Sequence, residues 1–373
     1  MRTRLAEQFG IEFPIFAFSH CRDVVAAVSK AGGFGVLGAL TFTPDQLEIE
    51  LDWIDDHVDG KPYGVDVVMP ASYAGAGELD GDSGRESMAA VLDEMIPERH
   101  RQFVEDVLDR YEVPKADGES SVGRLLSWTH EGARPLIDVA LAHPIKLIAN
   151  ALGPPPPDVV RLAHDHGVKV AALVGSVAQA ERQVQNGVDI IIASGYEAGG
   201  HTGEITSMIL TPDVVDAVAP VPVLAAGGIG DGRQVAAAIA LGAEGVWTGS
   251  IWLTTAESDV APVVLEKLLA AGPTDTVRSR ALSGKPARQL RTAWTDAWEA
   301  PDSPGTLPMP LQFMLVADAQ YRIGRSGKRE LVGMPVGQIV GRMNSVKPVR
   351  QVVFELAEGF ASAVDRLGHL VEG

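Results

Sequence analysis

The sequence predicts a (β/α)8 TIM barrel carrying an inserted helical segment and a smaller helical lid domain. Three observations lead there: eight short apolar runs recur along the chain, helix-patterned stretches separate them, and glycines fall where those helices should end. Parallel neighbouring strands need crossover connections, and eight such units are the commonest closed solution. An open doubly wound sheet is the alternative.

Taken in order, EFPIFAF (12–18) is the first strand, and RDVVAAVSKAGG after it has helical apolar spacing with Gly32 and Gly33 suited to a left-handed cap. FGVLGA (34–39) follows, then a helix opened by Thr43 and Pro44, then PYGVDVVM (62–69), where the rhythm breaks. It resumes at IKLIANAL (145–152), VKVAALVG (168–175), VDIIIASG (188–195), VPVLAAGG (221–228) and AEGVWTGS (243–250). SVAQAERQVQNG and DGRQVAAAIALG are typical of the helices between them, and VAPVVLEKLLAAG follows the eighth strand.

Residues 1–70 and 134–272 are therefore assigned to the barrel. Residues 71–133 form an insertion over its mouth: a loop, ASYAGAGELDGDSG, expected to be mobile, then two charged amphipathic helices split near Pro97. Their charged face (85–112) is expected to be solvated, with substrate gating as the competing role. Residues 273–332, containing SGKPARQLRTAW and LQFMLVADAQYRIG, form a helical covering domain, and 333–373 return to the barrel through VRQVVFELAEGFASAVDRL.

The composition narrows the class. An apolar share of 46% in 373 residues supports a large core, and a single cysteine excludes an internal disulfide, which suits a reducing compartment. A net charge of −18 opposes nucleic acid and anionic lipid. No apolar run reaches the length of a membrane span and the amino terminus has no signal-like core, so a cytoplasmic protein is expected.

Barrel enzymes place their chemistry at the carboxyl ends of the strands, with a phosphate commonly beside the seventh and eighth. Here the seventh strand runs into AAGGIGDG (225–232) and the eighth into WTGS (247–250). Glycines let main-chain N–H groups approach an anion, and a helix starting near Asp231 adds its positive end, so the pair describes a phosphate cup without a lysine. The sixth strand ends in SGYEAGGHTG, where Gly199 and Gly200 would clear space for a flat ligand under His201. The competing reading is a histidine that merely caps a helix or a turn.

These segments resemble the nitronate monooxygenase family, formerly 2-nitropropane dioxygenases, whose superfamily includes flavin-type enoyl-acyl-carrier-protein reductases and NADH:quinone reductases. GYEAGGHTG, VLAAGGIGDGRQVAAAIALGAEGVWTGS, AAVSKAGGFGVLG and SGKPARQL carry the resemblance, over about residues 10–70 and 145–300. It implies a barrel holding one FMN, a helical domain over a small-molecule substrate, O2 as oxidant, and His201 as the catalytic histidine. It puts the FMN phosphate on Gly227 and Gly228 and on Thr248, Gly249 and Ser250, with Ala226 also in the cofactor site. Ser194, Gly195, Gly199 and Gly200 would line the cofactor, Ala17 and Phe18 its ring, with Asp66 beside it. A homodimer is the assembly to test, and NAD(P)H is an optional co-substrate.

The departures surround the ring. The family's Q-A-P-M after the first strand is AFSHC here, with a loop about four residues shorter. Asp66 stands where an asparagine is usual, and Ser194 where a glutamine or glutamate is. His20 is either a second acid or base facing substrate or a loop cap, Cys21 a substrate contact or a small core residue, and Asp66 a flavin ligand, a partner for a lid arginine or a solvated strand end. Three activities compete: oxidation of an alkyl nitronate by FMN and O2, NAD(P)H-dependent reduction of an enoyl or acyl thioester or a quinone, and cofactor binding without turnover.

Overall fold

The computed structural model describes residues 1–69, 85–115 and 130–370, so the loop assigned to 71–84 lies outside the described residues. Eleven strands are described: β1 (Ile15–Ser19), β2 (Phe34–Gly38), β3 (Tyr63–Asp66), β4 (Leu147–Asn150), β5 (Lys169–Val174), β6 (Ile190–Ser194), β7 (Gly200–His201), β8 (Val223–Ala226), β9 (Gly245–Thr248), β10 (Thr276–Ser279) and β11 (Ala287–Leu290). β1–β6, β8 and β9 close into a parallel barrel in sequence order, β9 pairing back onto β1 through Phe16↔Trp247 and Ala17↔Thr248. Each barrel strand lies within the run that predicted it, apart from β1, which ends one residue later at Ser19. The sixth, seventh and eighth barrel strands are thus β6, β8 and β9.

Side chains alternate across each strand, so the barrel has two cores. Phe16, Phe34, Leu147, Ile192, Leu224 and Trp247 meet inside it, while Val65, Ile148 and Ile191 face the helices. The interior is floored by a helix at Arg4–Phe9, which the sequence pattern did not suggest. Its Leu5 and Phe9 join the inner cluster, the Phe9 ring meeting Phe16 and Phe34 edge-on at 5.5 and 4.9 Å. Burying two such side chains contributes about 1.5–3 kcal/mol each. The packed floor leaves the other end of the barrel as the place for a site.

The outer ring closes in an unexpected way. The helix Pro262–Ala270 follows β9, but the helix that packs between Gly232–Ala240 and Arg22–Lys30, where an eighth crossover helix belongs, is the last one, Val349–Gly368. Gly232 and Gly359 make that approach possible, since a Cβ on Gly232 would run into the backbone at Gly359 and Phe360. The segment 273–332 is helical only in part. β10 and β11 form an antiparallel hairpin, and β11 pairs with β7 through Ala287↔His201 and Arg288↔Gly200. All four residues of β11 are buried, so the strand shows no polar–apolar alternation by which the sequence could have revealed it.

The inserted helix Glu98–Arg110 keeps its charged face in solvent, with Arg99, Asp106, Asp109 and Arg110 exposed, and buries the opposite face. Val104, Val107 and Leu108 are buried in the same core as Leu315, Ala319 and Ile323 of the helix Leu311–Ser326. Arg322 fastens the two, bonding Glu105 at 2.8 Å and the carbonyl of Pro114 at 3.0 Å. No helix among the described residues is long and apolar enough to cross a membrane.

Candidate active site

Continuing the inward alternation to the carboxyl ends of the strands puts Phe18, Gly38, Asp66, Ser194 and Ala226 on the inner face of the barrel mouth. Ala17 and Thr248 have the opposite parity. Ala17 is packed in the outer core, and the Thr248 hydroxyl donates to the Phe16 carbonyl at 3.1 Å while accepting from Trp252 Nε1 at 3.0 Å. Both side chains belong to the scaffold rather than to a cofactor wall.

The loop after β6 is held from behind. Glu197 accepts from the Ser207 amide at 3.0 Å and from its hydroxyl at 2.9 Å, at the start of the helix Ser207–Val218. The Gly195 amide is already donated to the Ala226 carbonyl at 3.0 Å, and a Cβ there would collide with Ser207. Gly199 does not clear space for a ligand either. A Cβ on it would lie 2.8 Å from the Val336–Gly337 backbone, so its smallness admits the C-terminal segment. Gly200 is the open one, at φ +75° with nothing near its missing Cβ.

The loop after β8 is pinned by Gln234, whose amide takes the Gly230 N–H at 2.9 Å and reaches the Gly228 carbonyl at 2.5 Å. Gly227 and Gly228 sit at φ +101° and +69°, conformations that favour glycine. Their N–H groups, and that of Gly249 across from them after β9, donate to no acceptor among the described residues. Ser250 Oγ accepts from the Gly337 amide at 2.9 Å. The helix Gly232–Ala240 adds less than expected, because the Asp231 carboxylate caps its first turn. Arg233 and Arg342 hold that carboxylate at 3.1 and 2.6 Å and pull its pKa down to about 2.

His201 lies beside β11. Its Nε2 is 2.6 Å from Ser283 Oγ, the one hydrogen bond its ring makes among the described residues. Burial, with the nearby Lys285 ammonium, pushes its pKa down to about 4, so the ring is neutral through the physiological range. Burial also pushes the Lys285 pKa down. Arg278 and Arg288 flank the Tyr196 ring at 4.8 and 4.7 Å, and neither they nor Lys285 pairs with a carboxylate among the described residues. Arg288 donates to the Tyr196 carbonyl at 3.2 and 3.1 Å, and the two guanidinium groups draw the Tyr196 pKa down. Ser283 and Lys285 are the roles that sequence reasoning missed. SGKPARQL was the available signal, but only the β7–β11 pairing shows that it abuts His201.

Across the mouth, His20 Nδ1 donates to the Gly38 carbonyl at 2.9 Å, and its ring meets Phe18 edge-on at 5.1 Å. A carbonyl can only accept, so Nε2 carries the free lone pair. Desolvation lowers the His20 pKa, opposed by the Gly38 bond and by Asp259. Asp66 is 5% exposed, pairs with no arginine among the described residues, and is raised by desolvation alone to about 7. It is therefore neither a solvated strand end nor the partner of a lid arginine. Cys21 is buried with Sγ donating to the Glu257 carbonyl at 3.3 Å, and burial raises its pKa, which makes it a packing residue.

Comparisons with known proteins agree with this architecture. The family profile for nitronate monooxygenase matches residues 2–359. "Putative monooxygenase Rv1533" of Mycobacterium tuberculosis is 56% identical over an alignment of 382 residues that spans 100% of both chains. A "Probable nitronate monooxygenase" of Staphylococcus aureus is 30% identical, covering 94% of this chain and 95% of its own. Among solved structures, the nitroalkane oxidase of Streptomyces ansochromogenes superposes with a TM-score of 0.78 at 26% identity, over 97% of this chain and 99% of its own. FabK of Thermotoga maritima gives 0.75 at 29%, over 99% of each. Sequence profile, relatives and the closed eight-stranded barrel coincide along almost the full length, and the chain belongs to the nitronate monooxygenase family of oxidoreductases.

Proposed function

We propose that the chain binds FMN and oxidises small alkyl nitronates with dioxygen, His201 serving as acid and base. The observation that carries this reading is the His201 ring: neutral, anchored at Nε2 by Ser283, and with Nδ1 unclaimed by the protein among the described residues. Family membership supports a flavin, and the structure offers features that fit FMN. The amides of Gly227, Gly228 and Gly249, unpartnered among the described residues, suit its phosphate, Gly200 leaves room beside the histidine, and Phe18, Ser194 and Ala226 wall the mouth. When bound, the flavin supplies the acceptor for electrons leaving the nitronate carbon and returns them to dioxygen.

The chain's own residues handle charge and protons. A neutral imidazole nitrogen takes the α-proton of a nitroalkane or hydrogen-bonds a nitro oxygen, a contribution of about 10²- to 10⁴-fold for a placed acid or base. Ser283 fixes the ring plane, and Lys285, Arg278 and Arg288 give an anionic nitronate a positive approach in a chain of net charge −18. Asp66, close to half-ionised at neutral pH, can give or take a proton inside the mouth.

A second reading rests on the same cations. Three basic side chains without carboxylate partners among the described residues also suit the phosphates of NAD(P)H or of an acyl-thioester carrier, as in an FMN-dependent reductase of an enoyl thioester or quinone. The sequence has no separate G-x-G-x-x-G unit after a strand, so the nicotinamide would be taken at the barrel mouth. Visible spectra of the purified protein, mixed without oxygen with propyl nitronates, NADH and NADPH in turn, separate the two. Bleaching by nitronate alone is expected; rapid bleaching by a nicotinamide with none by nitronate gives the second reading. A colourless protein that takes up no FMN sinks both.

A further inference from the structure

On the outside of the barrel, away from its mouth, the helix Pro44–His57 presents Glu48, Asp52 and Asp55 at spacings of four and three, which aligns them on one face. His143, in the turn between the helix His130–Ala142 and β4, lies against that face. Its side chain is only 7% exposed. The ring is oriented by Asp55, whose Oδ2 lies 2.7 Å from His143 Nδ1 while its Oδ1 accepts the Tyr63 hydroxyl at 2.5 Å. Burial and the Asp55 carboxylate push the Tyr63 pKa up, so its hydroxyl keeps its proton and remains a donor.

That arrangement leaves Nε2 as the ring's other nitrogen. It is buried without a hydrogen bond among the described residues, 3.5 Å from Glu48 Oε2, and one ligand atom from each of Glu48, Asp52 and His143 lies within 4.8 Å of the others. A carboxylate gripping one imidazole nitrogen while the other faces two further carboxylates is the arrangement found where a histidine binds a metal, the outer carboxylate setting the tautomer and raising ligand basicity. An isolated acidic face would be ordinary. An orphaned, oriented imidazole nitrogen inside it is not.

We propose that Glu48, Asp52 and His143 form a divalent-cation site, with Asp55 as the residue that positions His143. An imidazole nitrogen beside carboxylates favours a borderline ion such as Zn²⁺ over Mg²⁺ or Ca²⁺, which prefer oxygen throughout. Tetrahedral Zn²⁺ with bonds of about 2.1 Å needs ligand atoms about 3.4 Å apart. Glu48 and Asp52 are exposed and can turn inward to close the remaining distance. With three protein ligands, water completes the shell. The ion would staple the helix after β2 to the turn entering β4, joining two crossovers of the barrel wall.

The test uses tag-free, flavin-loaded protein stripped with a chelator, titrated with Zn²⁺ by calorimetry and melted with Zn²⁺ or Mg²⁺. One Zn²⁺ per chain is expected at this site. At a free concentration a hundred times its Kd it should lower the unfolding equilibrium constant about 100-fold, while Mg²⁺ at the same concentration has little effect. Asp52→Asn with Glu48→Gln, both exposed positions that leave the core untouched, should weaken binding at least tenfold, and His143→Gln should abolish it. Asp55→Asn should weaken it less, through loss of ring orientation. Absence of binding at millimolar Zn²⁺, or binding unchanged in the double carboxylate variant, overturns the proposal. In the latter case the ion sits elsewhere, and Zn²⁺-dependent stabilisation surviving in His143→Gln would say the same.

Discussion

The rim formed by β6, β8 and β9 and the rim formed by β1, β2 and β3 face the same mouth but present different groups. On the first, main-chain amides at Gly227, Gly228 and Gly249 are unpaired among the described residues, and the side chains around them, Glu197, Ser207 and Gln234, turn back to brace the loops. On the second, neighbouring main chain is paired, with Ala39 N–H on the Asp66 carbonyl and Val67 N–H on Ala149, and the available groups are the side chains of His20 and Asp66. A grip made of main-chain amides depends on loop shape and tolerates sequence change. A rim of titratable side chains makes selectivity a matter of two residues.

The largest effect expected from breaking this contrast lies at His201, in the segment that follows β6. His201→Ala should lower turnover of nitronate about 10²- to 10⁴-fold while leaving flavin content near that of the native protein. Steady-state rates beside the absorbance of bound flavin check it. Loss of flavin together with rate would mean that His201 holds the cofactor instead of working on substrate.

The glycines of the first rim were visible in the sequence because their signal is local. A residue at φ +101° such as Gly227 announces itself by type, and two such turns on adjacent strands reinforce each other. Barrel strands were visible for the same reason, as continuous apolar runs buried on both faces. Which glycines face the ligand was not visible: Gly195 and Gly199 have the same sequence character as Gly200, yet they are small to admit Ser207 and the Val336–Gly337 backbone. Nor was the ring-closing role of Val349–Gly368, because its amphipathic pattern would suit any helix lying on a core and says nothing of which neighbours it meets. Ser283 beside His201 depends on a pairing between segments more than eighty residues apart, beyond the reach of any periodicity.

Asp66 gives the next largest effect, with a sign that distinguishes the second rim. Its ordinary pKa is 3.8 and the folded chain holds it at about 7, so between those values the native state binds a proton that the unfolded state has lost. Stability therefore falls as pH rises through that window and is flat above it. Asp66→Asn removes the penalty. In flavin-free protein it should stabilise the fold by up to ~4 kcal/mol at pH 8.5 and by little at pH 4, read by denaturant unfolding at the two values. Repeating the measurement with FMN bound sharpens the comparison. If the cofactor offers Asp66 a hydrogen bond, the gain at high pH shrinks.

Gly227→Ala tests the first rim at smaller cost. A Cβ there is strained by φ +101° and lies 3.0 Å from Ser207 Oγ, so the loop must shift. A destabilisation of about 1–3 kcal/mol is expected, with weaker flavin retention on dialysis. A fully retained flavin would show that the amide of Gly227 is not part of the grip.

The smallest effect is expected at His20, and it decides whether the second rim has a role in selectivity. The ring leans on Gly38 through one hydrogen bond, and replacing it with glutamine keeps a donor near the Gly38 carbonyl, so stability should change by less than about 1.5 kcal/mol. What the substitution removes is the free Nε2 lone pair beside Phe18. If that nitrogen meets the substrate, His20→Gln should change kcat/KM severalfold and unequally for nitronates of different chain length, with flavin content constant. Equal kinetics across the series would leave His20 as a loop brace and place the choice of substrate on Asp66 and the basic side chains beside His201.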